Sequence, residues 1–313
     1  MSGRFLALVD VERIIDYVLS KRGNDGGYLS FQYMNMFESS AEDTFYALSI
    51  LSALDIEPPG AENTINFLQH LQDPVKGYRS VEVAYYSVLA LSTLGAKPRD
   101  PQGAARLLVE VLEKILREQN DQAWFVLDEQ LLIDEKGVLR SKDATSLLTP
   151  ADVTPRLHRL SMIVCSLSAL NEFLNDHADT VAEALLQQRC DGGGFGYPAP
   201  LLESTYWAIK GLEAVASLKP FPETIRWVLM CENDDGGFST TPHSRNYFIE
   251  NIYYGLQTLR TLGSFPRYTS SHVKYVSSLQ NANGGFRRAP THGASSLEYT
   301  YYAVHSMKLL NLL

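Results

Sequence analysis

A short glycine string that ends in an aromatic residue recurs along this chain and constrains its fold more than any other feature. The strings read NDGGY, PVKGY, DGGGF, DDGGF and NANGGF, and they end at Tyr28, Tyr78, Phe195, Phe238 and Phe286. These aromatic residues are 50, 117, 43 and 48 positions apart, so the long interval holds one further unit without the string. Glycine permits the positive φ angles that end a helix and turn the chain, and the pattern therefore predicts six helical hairpins.

The helix that follows each string has a signature of its own. Five such segments align without gaps: AEDTFYALSILSALD, VEVAYYSVLALSTLG, LESTYWAIKGLEAVAS, IENIYYGLQTLRTLG and LEYTYYAVHSMKLLNLL. Each begins with an acid in its first turn, continues with two adjacent aromatic residues and is apolar on most faces. A helix that is apolar nearly all round is buried between layers, whereas the preceding helices, such as INFLQHLQ, are amphipathic. The sequence thus predicts an inner ring of helices inside an outer ring.

The third unit departs from this pattern. Residues 118–155 lack the glycine string and carry charged and turn residues, which predicts an insertion loop. The inner helix of this unit reads TPRLHRLSMIVCSLSALN, with Pro155 suited to a first helical turn. Our interpretation places Arg156 and Arg159 where the other inner helices have their acid and aromatic residues.

Composition limits the class of protein. A chain of 313 residues that is 45% hydrophobic and 20% charged can bury a large core, and the shared repeats favour one domain over residues 1–313. A net charge of -9 without a basic cluster argues against nucleic-acid partners. No apolar run approaches the length of a membrane span, and the apolar stretch at the start of the sequence is too short for a signal peptide. We therefore expect a cytoplasmic protein. Cys165, Cys190 and Cys231 form no CxxC motif and are expected to be free thiols.

The glycine strings and the acid-x-x-Tyr-aromatic helix starts resemble the protein prenyltransferase β subunits and their relatives, the squalene and oxidosqualene cyclases. The resemblance covers nearly the whole chain and implies an all-α fold, an (α/α)6 barrel or toroid of six hairpins. Neither terminal unit has the polar face of a capping repeat, and the last helix is apolar to its end, which favours a closed ring. The resemblance also implies an isoprenoid or isoprenoid diphosphate ligand and, for a true β-type subunit, a helical-repeat α-type partner subunit.

In the β subunits an Asp, a Cys and a His hold a zinc ion that activates the acceptor thiolate. The matching positions here are Glu250, Ile252 and Tyr299. Because isoleucine has no donor atom and tyrosine is a poor zinc ligand, we predict no zinc site of this type and no other cofactor. His305 lies seven residues after Glu298 on the same helical face, and we expect it to be packed, not metal-bound.

The family also presents basic residues to the isoprenoid diphosphate at the starts of the fourth and fifth inner helices. Here Glu203 occupies the matching His position, and Arg245 lies one position from the family's Arg. Other arginines near inner-helix starts are Arg79, Arg156, Arg159, Arg287 and Arg288. Two interpretations stay open: a diphosphate pocket, and a solvated rim of arginines paired with the adjacent acids.

The related cyclases protonate an alkene with the central acid of a DxDD string. The nearest string here is Glu232, Asn233, Asp234 and Asp235, directly before Gly236 in a hairpin turn. Such residues are expected in a turn for backbone reasons, which favours a structural role over an acid catalyst.

The predicted site lies where the first turns of the inner helices converge. These turns carry Glu42, Glu82, Glu203, Glu250 and Glu298. Acids in a first turn interact favourably with the helix dipole, but five facing acids repel one another, so we expect raised pKa values unless arginines or a ligand offset the charge. Glu203, Glu250 and Glu298 are the candidate catalytic residues.

An aromatic pair follows each of these acids, and one member of each pair is expected to face the cavity, because neighbours on a helix point about 100° apart. The candidate substrate-binding residues are Tyr46, Tyr86, Arg156, Arg159, Tyr206, Trp207, Arg245, Tyr253 and Tyr302. An aromatic cavity suits an isoprenoid chain or a carbocation. The leading hypothesis is a prenyltransferase-like enzyme that binds an isoprenoid in this cavity. Such an enzyme could also bind an acceptor protein. The alternatives are a non-catalytic toroid that lacks the family zinc site and binds a protein or peptide through its acidic rim, and a terpene cyclase-like enzyme that uses acid catalysis.

Overall fold

The protein is an all-α toroid with an inner and an outer ring of helices, as the repeat predicts. The structure, a computed structural model, describes residues 9–30, 38–75, 77–117, 131–133, 139–141, 155–172, 177–245 and 247–313. The outer helices are α1 (Val11–Leu19), α3 (Ala61–His70), α5 (Pro101–Arg117), α7 (Ala178–Leu186), α9 (Pro222–Met230) and α11 (Thr269–Ser278). The inner helices are α2 (Ala41–Ala53), α4 (Val81–Thr93), α6 (Arg156–Ala169), α8 (Leu202–Ala214), α10 (Ile249–Thr261) and α12 (Leu297–Leu309).

The inner helices form a closed ring. Each packs against the next along the chain, and α12 packs against α2. Across the join, the backbone N–H of Asp10 donates to Oε1 of Gln280 over 2.9 Å, and Nε2 of Gln280 donates to the Asp10 carbonyl over 2.9 Å. The N–H of Leu297 donates to Oγ of Ser30 over 3.1 Å. The first and last hairpins therefore complete the barrel.

Sheet structure is confined to two short antiparallel pairs in the described part of the chain. β1 (Leu131–Ile133) pairs with β2 (Leu139–Ser141), and β3 (Phe286–Arg287) pairs with β4 (Ser295–Ser296). The predicted insertion at 118–155 lies outside the described residues apart from the first pair and Pro155. Its assignment as a loop stays a prediction, as does the single domain over 1–313.

The glycine strings join neighbouring hairpins. Gly284, at φ +90°, lies so close to α1 that an added Cβ would come within 2.0 Å of the Arg13 carbonyl oxygen. Gly26, Gly193 and Gly236 have positive φ angles and the same close approach to the first turns of α3, α9 and α11. Only glycine combines this backbone conformation with this contact, which explains why the string recurs.

A threonine in the inner helix fixes the aromatic residue of the string. The hydroxyl of Thr300 accepts a hydrogen bond from the N–H of Phe286 over 3.1 Å and donates to the carbonyl of Ser296 over 2.7 Å. Thr44 and Thr205 make the same bonds with Tyr28 and Phe195. The string and the inner helix therefore hold each other in one register.

Each inner helix ends at the same structural position. The residues that follow these helices in the left-handed conformation are Asp55, Gly95, Asn171, Ala216, Gly263 and Asn311. Such a residue closes the end of a helix by satisfying its last carbonyls. The six inner helices therefore place equivalent residues at equivalent depths in the ring.

Candidate functional site

A cavity of about 770 Å³ occupies the end of the barrel where the inner helices begin. Glu42, Glu82, Glu203 and Glu298 line it, each from the first turn of its helix. Serine N-caps start three of these helices, since Ser40, Ser80 and Ser296 accept hydrogen bonds from backbone N–H groups of the first turn. The predicted convergence of acids is thus present for four of the five glutamates.

The second member of each aromatic pair lines the same cavity. These residues are Tyr46, Tyr86, Trp207, Tyr254 and Tyr302. The first members lie one layer deeper and pack against those of neighbouring inner helices, with centroids 5.7 Å apart for Phe45 and Tyr301 and 5.4 Å for Tyr253 and Tyr301. The cavity is therefore a bowl with an aromatic wall and an aromatic floor.

Hydrogen bonds link the wall to the acids. The hydroxyl of Tyr46 donates to Oε1 of Glu42 over 3.1 Å and lies 3.2 Å from the hydroxyl of Tyr86. On the opposite side, the hydroxyl of Tyr254 donates to Oε1 of Glu203 over 3.4 Å and lies 2.9 Å from that of Tyr302. Buried tyrosine hydroxyls require polar partners, and these contacts supply them. They also fix the orientations of the rings.

The acids influence one another's protonation, as predicted. Burial and, after it, the nearby carboxyls of Glu42 and Glu250 raise the pKa of Glu298 to about 7, and the Arg288 guanidinium opposes them. Burial also raises the pKa of Glu42 and of Glu203, against the hydrogen bonds that their tyrosine partners donate. At neutral pH, a substantial fraction of Glu298 therefore carries a proton.

Glu250 has a different environment. The Nε of Arg288 donates to its Oε1 over 2.7 Å, and the Arg288 guanidinium lies over the ring of Phe248, 4.2 Å from the centroid. Glu250 is not among the described residues that line the cavity. Its candidate catalytic role stays a prediction, but its carboxylate is already paired.

In α6, a histidine and not an arginine occupies the position at which the other five inner helices have their glutamate. His158 stacks on Trp207 with centroids 5.7 Å apart, lies 3.9 Å from Glu203 and lines the cavity together with Met162. Burial lowers the pKa of His158 to about 3, so the ring is neutral. Our placement of Arg156 and Arg159 at the acid and aromatic positions is therefore wrong by a few residues: His158 and Met162 occupy them.

The candidate arginines do not converge on the bowl. Arg245 is exposed, and neither it nor Arg156 or Arg159 is among the described lining residues. Arg79 does line the cavity mouth, where it is exposed and forms no ion pair with the described residues. The substrate contacts predicted for Arg156, Arg159 and Arg245 stay predictions that the geometry does not favour.

Tyr206 and Tyr253, both predicted to contact substrate, lie in the floor. Their hydroxyls are 3.5 Å apart, and that of Tyr253 lies 3.1 Å from the hydroxyl of Tyr301. Beneath them lies Lys210, whose Nζ donates to the hydroxyls of Tyr85 over 2.7 Å and Tyr206 over 3.2 Å. Burial by itself lowers the pKa of Lys210, but the surrounding phenols, that of Tyr85 first, outweigh this and raise it.

The sequence analysis did not identify Lys210 because a single lysine on a helix usually points to solvent. The signal that would have found it is its distance from the end of the helix. Counted back from the left-handed residue, Lys210 aligns with His305 of α12, which already belonged to the inward face.

His305 is packed as expected, with its ring 4.3 Å from that of Tyr301, and burial lowers its pKa to about 4.

The acid string before Gly236 lies away from the cavity and has a structural role. Glu232 is buried and accepts hydrogen bonds from the backbone N–H groups of Arg267 and Tyr268, from the Arg267 side chain and from Nε2 of His272, at 2.6 to 3.0 Å. Burial alone would raise its pKa, but these donors lower it. Glu232 therefore anchors the start of α11.

The donors at the family's zinc positions do not fit a zinc ion. Ile252 is buried and has no ligating atom, and the carboxylate of Glu250 is bound by Arg288. Among the described residues, no group of three or more His, Cys, Asp or Glu side chains is arranged to hold a metal. A zinc ion of the family type therefore does not fit these residues, and the absence of any other cofactor stays a prediction.

The family assignment follows from comparison with known proteins. The model of the prenyltransferase alpha-alpha toroid domain matches residues 3–80, 78–244 and 145–313. The chain belongs to this family. No curated protein matches it significantly.

Solved structures share the fold at low sequence identity. Protein geranylgeranyltransferase-I from Candida albicans, complexed with GGPP, is 14% identical with a TM-score of 0.59, over 87% of this chain and 84% of that one. A variant of the type II terpene cyclase MstE from Scytonema, in complex with geranylgeranyl dihydroxybenzoate, is 12% identical with a TM-score of 0.64, over 97% of each chain. The toroid is therefore like those of a prenyltransferase and a terpene cyclase that bind isoprenoid compounds. Within the part of the chain that the structure describes, no helix is long and apolar enough to cross a membrane.

Proposed function

We propose that the bowl binds an uncharged isoprenoid chain and that Glu298 donates a proton to it. The observation that carries this proposal is the composition of one cavity, in which four glutamates stand above five aromatic side chains. Apolar and aromatic walls suit a hydrocarbon chain. This favours the terpene cyclase-like hypothesis over transfer from a diphosphate.

Charge argues against a diphosphate in this cavity. An anion that enters the bowl meets four carboxyl groups, and Arg79 is the lining cation among the described residues. His158, the other basic side chain of the lining, is neutral because burial lowers its pKa to about 3. Diphosphate sites normally offer several arginines, lysines or helix N-termini free of acids.

Protonation state supports Glu298 as the donor. Only the proton-bearing carboxyl can protonate a double bond, and a pKa raised to about 7 keeps part of Glu298 in that form near neutral pH. The O–H bond would break, a C–H bond would form and a carbocation would remain on the substrate. The π faces of Tyr302 and Tyr46 line the same cavity and would stabilise this cation. After ring closure a different C–H proton would pass to water, its electron pair would form the new double bond, and Glu298 would regain a proton from solvent, so that the net reaction is an isomerisation.

The experiment compares geranylgeraniol with geranylgeranyl diphosphate. Binding is followed by calorimetry, and products formed in D₂O are analysed by mass spectrometry. We expect the alcohol to bind more tightly than the diphosphate and the product to carry one carbon-bound deuterium. Glu298→Gln should abolish product formation and keep binding within about threefold, whereas Glu110→Gln, on the exposed face of α5, should change neither.

The proposal has two parts, the uncharged ligand and the proton transfer, and the experiment tests them separately. Tighter binding of the diphosphate would overturn the choice of an uncharged ligand. Binding of the alcohol without any product would overturn the catalytic part and favour a non-catalytic toroid. A helical-repeat partner subunit is not required by this proposal.

A further inference from the structure

The deep half of the barrel contains a partly buried amine, the side chain of Lys210. Lys210 is the ninth residue of α8, and its Nζ donates hydrogen bonds to the hydroxyls of Tyr85 and Tyr206. At the same level, the other inner helices carry Ser49, Leu89, Cys165, Gln257 and His305. A long cationic side chain at this depth is therefore particular to one of the six helices.

Aromatic rings surround the ammonium group. Its Nζ lies 5.3 Å from the ring centroid of Tyr85, 5.5 Å from that of Tyr206 and 5.1 Å from that of Trp207. All three distances fall within the range of cation–π attraction. No ion pair with Lys210 is formed by the residues that the structure describes, so rings and phenol hydroxyls replace a carboxylate partner.

The cage is full. Only about 20 Å³ of free space remains among Lys210 and the rings around it, which is room for a single water molecule at most. Trp207 belongs both to this cage and to the wall of the bowl above. On the far side, a gap of about 60 Å³ lies beside Lys210, Glu213 and Gln257.

We propose that the ammonium group of Lys210 is a built-in cation that occupies this aromatic cage and thereby sets how deep a ligand can enter the barrel. Aromatic cages of this kind recognise quaternary ammonium groups, and here the protein's own side chain takes that place. Shortening the side chain should therefore create a binding site for a small organic cation. The consequence for ligand depth rests on the proposed function, whereas the cage itself does not.

The test compares choline with its uncharged isostere, 3,3-dimethyl-1-butanol, by calorimetry. We expect Lys210→Ala to bind choline at least tenfold more tightly than the wild type does, and at least tenfold more tightly than it binds the alcohol. Lys210→Met, which fills the cage with an uncharged chain of similar length, should show no gain. Equal affinity of K210A for both compounds, or the same choline affinity in all three proteins, would overturn the proposal.

A second variant protects the test against loss of folding. Lys210→Ser leaves a hydroxyl near Tyr85 and is expected to give the same choline gain if K210A does not fold alone. Restoration of the folded far-UV circular dichroism of K210A by choline, but not by the alcohol, would equally support the cage. No restoration in K210A together with no gain in K210S would overturn it.

Ligand depth is tested with farnesol and geranylgeraniol. We expect K210A to shift the affinity ratio toward the longer alcohol by at least threefold relative to the wild type. An unchanged ratio would overturn the depth limit even if choline binds. If neither alcohol binds the wild type or the variant, the proposed function fails, while the choline comparison still decides on the cage.

Discussion

The guanidinium of Arg288 binds the carboxylate of Glu250, with Nε 2.7 Å from Oε1. Glu250 occupies the same position in α10 as Glu298 does in α12, yet only Glu298 lines the cavity. Arg288 also lowers the pKa of Glu298 through space, against burial and the neighbouring carboxyls. One arginine therefore distinguishes two otherwise equivalent acids.

Removal of this arginine should make Glu298 harder to ionise. In Arg288→Ala, we expect the pKa of Glu298 to rise above its wild-type value, because the positive charge that lowers it is lost. Carboxyl carbon NMR of the two proteins measures the shift. Arg287→Ala, whose guanidinium donates to the carbonyl of Ser278 instead of to an acid, is the matched control and should leave the pKa unchanged.

Stability should depend on pH through Glu298. Its pKa is raised in the folded state from an ordinary value of 4.5 to about 7, so the folded state binds this proton more tightly than the unfolded chain. The stabilisation is full below about pH 4.5 and is lost as the pH rises through 7, with a total of about 3 kcal/mol. Urea unfolding at pH 5 and pH 8 should show this loss in the wild type and not in E298Q. Equal pH dependence of the two proteins would contradict the raised pKa.

Arg79 should contribute little to ligand binding. If the ligand is uncharged, Arg79→Ala is expected to change the affinity for geranylgeraniol by less than about threefold, or about 0.6 kcal/mol. Trp207→Ala, which removes part of the bowl wall, should weaken the same binding by more than tenfold. A large loss in R79A would indicate that an anionic group binds at the mouth.

The ring closure should be sensitive to a single methyl group. Gly284→Ala forces a Cβ to within 2.0 Å of the Arg13 carbonyl in a left-handed conformation, and we expect a loss of about 3 kcal/mol or more in the free energy of unfolding. Gly263→Ala has a similar positive φ of 69° but nothing within 4 Å, and should lose about 1 kcal/mol. Thermal unfolding of both variants measures the difference, and equal losses would show that the contact with α1 is unimportant.

The acid string before Gly236 should matter for stability alone. Glu232→Gln removes a charged acceptor that four donor groups share, and we expect a loss of about 3 kcal/mol without any change in ligand affinity. Asp234→Asn, in the exposed part of the turn, should stay within about 0.5 kcal/mol of the wild type. Loss of product formation in a folded E232Q protein would instead indicate catalysis by this string.

The repeat was sufficient to predict the toroid, the two rings of helices and the end of the barrel where the acids meet. Those features depend on local patterns, namely the Gly26-type turns and the acid and aromatic residues of each inner helix. The register of α6 was not predictable in the same way, because it lacks a glycine string and carries Arg156, His158 and Arg159 close together. The pairing of Glu250 with Arg288 agrees with the interpretation of rim arginines paired with acids, but the sequence did not show which acid is paired, since Arg288 belongs to the turn that precedes the next inner helix.

The depth of the floor depended on packing across the ring axis. Sequence alone indicates that one of each aromatic pair faces inward, but it does not show how these side chains meet. Tyr206, Tyr253 and Tyr301 close the floor through contacts between successive inner helices, and the bond from Lys210 to Tyr85 joins residues 125 positions apart. Lys210 is inside for the same reason.

The left-handed residue after each inner helix is a common reference point from which the depth of any other residue in the barrel can be counted. Thirteen positions before Asp55, Gly95, Asn171, Ala216, Gly263 or Asn311 is the acid level, nine positions before is the wall, and six positions before is the level of Lys210. A combinatorial library can therefore vary the six residues at one level of the barrel at a time. The glycine strings that join the hairpins stay unchanged in such a library.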